Sequence, residues 1–430
     1  MDVEPRLPED GGARPSSWRA RLRSLAIDAS PLRESRDFRL LWLGNAISWF
    51  GTQVTFVAIP IQVYRMTESS LAVGLLGVSD LVPLLTLPLI GGALADNVDR
   101  RRLLLATETV ATLSVLALLV HARADEQHLW VMYVLNTLLA AAYAIGSPAL
   151  RSATPLLVRP ERITAAAVLT GAYQNFASVA GPAVAGVLVA TVGLAWTYAL
   201  DALTFGASLV ALAAIRPIPP VAGERRPTLR AALDGLRWLK GRRVLLGSFL
   251  VDVNAMVFGM PEALFPALAI ERFGGPEIVG LLYAAPSAGA LLASLVSGWT
   301  SRVHRHGVIV YAAVVAWGAA LVAFGLAPNV AVALAALAAA GAADAVSATF
   351  RTAILQTATP HDMLGRMEGV SLAVVASGPS LGNVEAGVVA SLTNARVAVV
   401  GGGLACIVGV GVMALLLPEF ARYDARDPTP

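Results

Sequence analysis

Gly91-Gly92-Ala93-Leu94-Ala95-Asp96-Asn97-Val98-Asp99-Arg100-Arg101-Arg102 joins two apolar runs, roughly residues 71–95 and 102–121. Each run has the ~20 residues that a helix needs to cross ~30 Å of hydrocarbon. A short turn between two such runs is a membrane hairpin, and its arginines mark the side on which it turns, because basic residues concentrate in cytoplasmic loops. Within the turn, Gly92 permits close approach of another helix. Asp96, at a helix end, suits the positive N-terminus of a neighbour. Arg100 and Arg101 are expected to stay with anionic headgroups. The plainer reading is a basic cytoplasmic turn with no further role.

The rest of the 430-residue chain has the same character: 56% of it is hydrophobic and 14% is charged, against about 25% charged in a soluble domain. Twelve stretches are long and apolar enough to span, at about 38–64, 71–95, 102–121, 128–149, 164–192, 195–215, 244–270, 277–299, 307–327, 329–350, 367–393 and 396–417. The fold class expected is therefore an all-α membrane protein. With the N-terminus inside, only Arg65, Arg123, Arg272 and Arg396 of the 32 basic residues fall in outward loops, so both termini are expected in the cytoplasm. The first 30 residues lack the apolar core of a signal peptide, and the first span is expected to be retained.

The spans divide into a segment 1–37, a six-helix half 38–215, a linker 216–243, a second half 244–417 and a tail 418–430. In the linker, Leu229, Leu233, Leu236 and Leu239 share one helical face, as in a surface helix lying on the membrane. Short matches relate the halves. Val73-Gly74-Leu75-Leu76 repeats as Val279-Gly280-Leu281-Leu282, Gly92 aligns with Gly298, and Ala153-Thr154-Pro155 repeats as Ala358-Thr359-Pro360. Parallel halves about an axis along the membrane normal are the arrangement expected of such repeats.

Other function classes find little support. The net charge of +3 is spread over short loops, unlike the continuous basic face of a nucleic-acid binder. One cysteine, Cys406, and five scattered histidines offer no metal set, and no phosphate-binding loop surrounds Lys240. No cofactor is expected, and an enzyme or a membrane sensor is a remote alternative.

The quoted loop resembles the major facilitator signature G-x-L-a-D-r-x-G-r-R, with Asp99 where that family has glycine. Gly181-Pro182-Ala183-Val184-Ala185-Gly186 resembles the G-P-x-x-G-G element of its exporters, with Ala185 in place of a glycine. Gly280-Leu281-Leu282-Tyr283-Ala284-Ala285 and Leu355-Gln356-Thr357-Ala358-Thr359-Pro360, continuing through Met363-Leu364-Gly365-Arg366, are similar to the transmembrane secretion effector subgroup. That subgroup includes enterobactin, macrolide and other drug exporters, and the likeness runs over about residues 31–423. It implies a major facilitator fold of 12 transmembrane helices in two pseudo-symmetric six-helix halves. It also implies a monomeric inner-membrane exporter of an amphipathic small molecule, with protons and membrane lipid as its other partners. The coupling would be proton antiport, and the Asp96 loop would latch the halves near Arg366. An importer of a nutrient on the same fold is the alternative. Many proton antiporters of the superfamily carry an arginine within helix 4, whereas residues 129–149 have none and Arg151 follows at the inner end.

Ionisable groups inside spans are functional candidates by default. Asp252 and Glu262 lead, followed by Asp80 and Glu385, then Asp201 and Asp344. Asp252 and Glu262 are ten residues apart, ~15 Å along one helix and roughly 80° apart in projection, so one cavity suits both as proton-coupling or gating groups. Candidate cavity residues are Asn45, Trp49 and Gln53 on one face of span 1; Asn136 and Tyr143 in span 4; Gln174 and Asn175 in span 5; Asn254 and Phe258 in span 7; and Tyr283 in span 8. Rings with scattered amides suit bulky, partly apolar ligands. For each, an interhelical hydrogen bond is an equal alternative.

Overall fold

A computed structural model describes residues 28–220, 235 and 237–426, and all their regular structure is helical. Twelve long segments follow in order: α1 (Arg36–Thr67), α2 (Ser70–Asn97), α3 (Arg100–His121), α4 (Leu129–Ala153), α5 (Ile163–Thr191), α6 (Leu194–Ala213), α7 (Arg243–Phe273), α8 (Pro276–Leu295), α9 (His306–Leu326), α10 (Val330–Ala358), α11 (His361–Leu392) and α12 (Ala395–Leu416). Eleven are long and apolar enough to cross a membrane. The exception to the twelve expected is α5. At 29 residues it is long enough, but Gln174, Asn175, Pro182 and its small residues dilute its apolarity. The surface helix expected at 228–240 lies mostly outside the described residues; of it, Leu239 is buried.

Several ends are built by capping. Asp99, where the family motif has glycine, accepts from the Arg102 backbone N–H at 3.1 Å and so caps α3. Arg100 and Arg101 do not go to headgroups as expected. Arg100 is fully buried and donates to Ser152 Oγ and the Pro219 carbonyl, while Arg101 donates to the Leu212 and Ala213 carbonyls. The carbonyls left free in the last turn of a helix attract cations, and those of Leu212 and Ala213 at the end of α6 take Arg101.

The same packing pattern occurs twice. α1 packs on α5 and α6, α2 on α4, and α3 on α4 and α6; correspondingly, α7 packs on α11 and α12, α8 on α10, and α9 on α10 and α12. Two crossed pairs, α2 with α11 and α5 with α8, join the first six helices to the last six. The repeated glycines sit in these crossings. Gly74 and Gly77 meet the backbone of Asn383 and Ser380, and Gly280 meets the backbone of Pro182 and Gly186. Without a hydrophobic drive in lipid, such backbone approach is what holds helices together. Large apolar side chains such as Leu203, Val210, Leu392 and Leu415 remain exposed, as a lipid solvent permits.

The crossed pairs touch at one end only. At the end bearing the termini, Gly171 of α5, Gly298 after α8, and Gly365 and Gly369 of α11 face open space. Val168, Leu292, Leu295 and Leu372 are exposed there too. The bundle is closed far from the termini and open beside them. The residues after α12 do not trail away. Phe420 is buried against Gly247 and Gly307, and the Tyr423 and Thr357 hydroxyls are 2.6 Å apart.

Candidate functional site

The closed end has a polar floor. α7 is regular only to Phe258; Gly259, Met260 and Pro261 interrupt it, and a short turn at Glu262–Leu264 restarts it. Proline lacks the backbone donor that a continuous helix needs, so the break falls where Gly-Met-Pro stands. The interruption leaves the Ala263 N–H and the Glu262 carbonyl for other partners. Ala263 donates to Asn383 Oδ1 at 3.0 Å, and the Tyr283 hydroxyl donates to the Glu262 carbonyl at 3.0 Å. Across from them, Asn136 of α4 donates to Asp80 Oδ1 at 2.7 Å and to Ser79 Oγ at 2.8 Å.

Asp80, Asn136, Glu262, Tyr283 and Asn383 all line one small cavity, walled by Phe56, Ile59 and Leu76. A second cavity of about 180 Å³ also touches Glu262 and runs between α7, α8, α9 and α10, past Phe265, Trp317, Leu337 and Asp344. At this size it is below the roughly 300–1,000 Å³ of small-molecule pockets. Rings pack around the floor: Tyr283 lies edge-on to Phe56 at 5.6 Å and to Phe265 at 4.9 Å.

Asp252 is elsewhere. Because α7 breaks between them, Asp252 and Glu262 do not share one helical projection. Asp252 is buried in an ion pair with Arg351 of α10, and Arg351 also lies 4.0 Å from Asp344. A buried charge needs such a partner. Arg351 escaped the sequence reading because span 10 was expected to end at residue 350, whereas α10 continues to Ala358. Its placement two helical turns after Asp344 in an unbroken helical pattern was the available signal.

The other candidates divide. Trp49 and Tyr143 stack, tilted, at 5.9 Å between α1 and α4. Gln53 packs against Gly181, the first glycine of the α5 element, while Gly186 of that element meets α8 and Pro182 is buried between them. Gln174 and Asn175 are exposed, as is Phe258. Asn45 donates to the Leu41 carbonyl of its own helix. Asn254 is turned away from the cavities: it is buried and donates to the Cys406 carbonyl of α12. Glu385 lines neither cavity. Gly92 is half-buried, and the close approach expected of it falls to Gly91, which sits on the Ile145 backbone of α4. Among the described residues Asp96 makes no side-chain bond, and Arg366 lies 3.6 Å from Met363 Sδ. No bond between Asp96 and Arg366, the pair expected to latch the halves, is present among the described residues.

Known proteins place this architecture. Enterobactin exporters EntS from Citrobacter koseri and Shigella boydii are 32% and 31% identical, covering 95% and 94% of this chain and 98% and 97% of theirs. The nucleoside transporter NupG superposes with a TM-score of 0.71 at 12% identity, covering 90% of this chain and all of that one. A bacterial homologue of the human lysosomal transporter Spinster, in an inward-facing and unoccupied conformation, gives 0.67 at 14% identity, covering 92% and 97%. The model of the transmembrane secretion effectors matches residues 27–430. This multi-pass membrane chain belongs to the transmembrane secretion effector family of major facilitator transporters.

Proposed function

We propose that the protein exports an amphipathic small molecule, a siderophore or a hydrophobic drug, across the inner membrane by alternating access with proton antiport. The supporting observation is the floor, where Asp80 and Glu262, from the first and last six helices, meet amides and Tyr283 at the blind end of an otherwise open bundle. Carboxylates at the junction of two moving bodies are placed to exchange a proton as the bodies part. The rings of Trp49, Tyr143 and Phe56 supply apolar surface, and the amides supply hydrogen bonds. The arginine distribution favours a cytoplasmic position for the open end and both termini, which would let the chain load from inside. The relatives named for enterobactin export favour export over uptake.

Efflux from inverted vesicles containing the protein tests this, with catecholate siderophores, macrolides and lipophilic cationic dyes, each with and without a protonophore. Protein-dependent movement that collapses with the proton gradient is the expected outcome. A folded, inserted protein that moves none of them sinks the reading.

A further inference from the structure

Away from the cavities, α1 and α6 meet along an unusual seam. Gly44, Ser48, Gly51 and Thr55 recur at spacings of four, three and four on α1, and Asp201, Thr204, Ser208 and Ala211 at three, four and three on α6. Each set is one helical face. The faces are in contact: Gly44 meets Ala211 and Ser208, and Gly51 meets Thr204 and Asp201 so closely that any side chain there would displace them. Ser48, Thr55, Asp201, Thr204 and Ser208 are all buried. From α3, Glu108 lies beside Ser48 and Ser208, and its Oε1 is buried without a hydrogen-bond partner.

Among the described residues no base is paired with either acid. α5, which also packs on α6, has no charged residue. Arg101 of α3 spends its donors on the end of α6, and on α1 Asp37 is taken up by Arg216. Arg65 stands at the far end of α1. The remaining titratable neighbour, Tyr198, donates to Gln62 at 2.8 Å. Two bare carboxylates in a buried seam cost far more than one neutral acid beside one charge.

The hydroxyl protons locate the neutral form. Thr55 Oγ1 donates to Asp201 Oδ2 at 2.5 Å. Thr204 Oγ1 lies 2.8 Å from the Asp201 backbone carbonyl and 3.0 Å from Asp201 Oδ1. A hydroxyl has one proton. Given to the carbonyl, it leaves the Thr204 oxygen as an acceptor facing Oδ1, which is what a protonated Oδ1–H requires. We propose that the α1–α3–α6 seam is a proton-binding site separate from the transport cavity, with the proton on Asp201 Oδ1 and Glu108 as its second acid. Release of that proton puts a negative charge against Gly51 and Glu108 and loosens α1, the helix that carries Trp49, Gln53 and Phe56 to the cavity side.

Infrared difference spectroscopy of the purified full chain across a pH titration tests this without any need for transport, so failure of the export reading does not decide it. The wild type should show a protonated-carboxyl C=O band that disappears in Asp201→Asn and persists in Glu262→Gln. Asparagine keeps both hydrogen bonds, accepting from Thr55 and donating to Thr204, so the variant should fold. Thr204→Val, which removes the acceptor and keeps the acid, should shift the same band to higher frequency and serves if Asp201→Asn does not fold. An unchanged band in Asp201→Asn, or no shift in Thr204→Val, overturns the proposal. So does sodium-dependent thermal stabilisation that Asp201→Asn abolishes, since the seam would then hold a metal cation.

Discussion

Asp252 and Glu262 differ in what surrounds them, and that difference sets how each should fail. Asp252 faces Arg351 in a buried pair. Removing one member of such a pair typically costs about 3–5 kcal/mol, because the other is left uncompensated, while replacing both can be nearly neutral. Asp252→Asn should therefore lower the melting temperature of the purified protein, and Arg351→Gln added to it should restore most of the loss. Additive losses in the double variant would mean that the two side chains do not act as a pair. Glu262 has no cation facing it and sits on the floor with Asn383 and Tyr283. Glu262→Gln should insert and melt like the wild type yet abolish proton-driven export in vesicles. Full export by this variant would remove Glu262 from proton coupling. The sequence marked both acids by their depth in apolar runs, but their different roles depend on Arg351, Asn383 and Tyr283, which are between 20 and 130 positions away in the chain.

At the scale of the elements, the span list was legible because lipid imposes one rule on every helix: most edges of the twelve stretches fall within three residues of the observed ends. The exceptions have local causes. α10 and α11 run on past their apolar stretches, to Ala358 and back to His361, at the end that bears the termini; in α10 this extension carries Arg351, which is paired with Asp252. α7 breaks at Gly-Met-Pro, a signal that was present and unread. The exporter element of α5 also has a counterpart that spacing alone reveals. Gly181 and Gly186 are five apart, as are Gly382 and Gly387 of α11; the first of each pair packs on its own half-bundle (α1 or α7), and the second crosses to α8 or α2. Gly280→Leu would press on the Pro182 carbonyl and the Gly186 backbone, neither of which can yield without the helices moving. Overpacking of this kind costs about 1–3 kcal/mol, which is roughly a 5- to 150-fold shift between two states. The closed end should open: a cysteine at Ser287, in a Cys406→Ser background, should react with an impermeant maleimide from the side opposite the termini in Gly280→Leu and not in its absence. Equal labelling with and without Gly280→Leu would deny the crossing its sealing role.

For the whole molecule, one closed end and one open end mean that transport requires the opposite arrangement, and the Asp96 loop is where that arrangement should differ most. In the present state α2 and α11 touch through Gly74, Gly77 and Gly387 but part at the other end, so Asp96 and Arg366 form no bond to each other. Rocking the two sets of helices about the α2–α11 and α5–α8 crossings would exchange these conditions, closing the termini-bearing end while separating the floor carboxylates. Arg100 and Arg101 anchor the loop to α4 and α6, so Asp96 should travel with the first six helices as a rigid unit. Asp96 would then act on the rate of exchange rather than on the affinity of either state. Asp96→Ala should slow turnover several-fold while leaving equilibrium binding of the transported substrate nearly unchanged. A paired Asp96→Cys and Arg366→Cys variant, again with Cys406→Ser, should cross-link poorly at rest and efficiently during substrate-driven turnover. Cross-linking that is equally efficient in both conditions would mean that this end does not close, and the alternating movement would have to be sought at other helix ends.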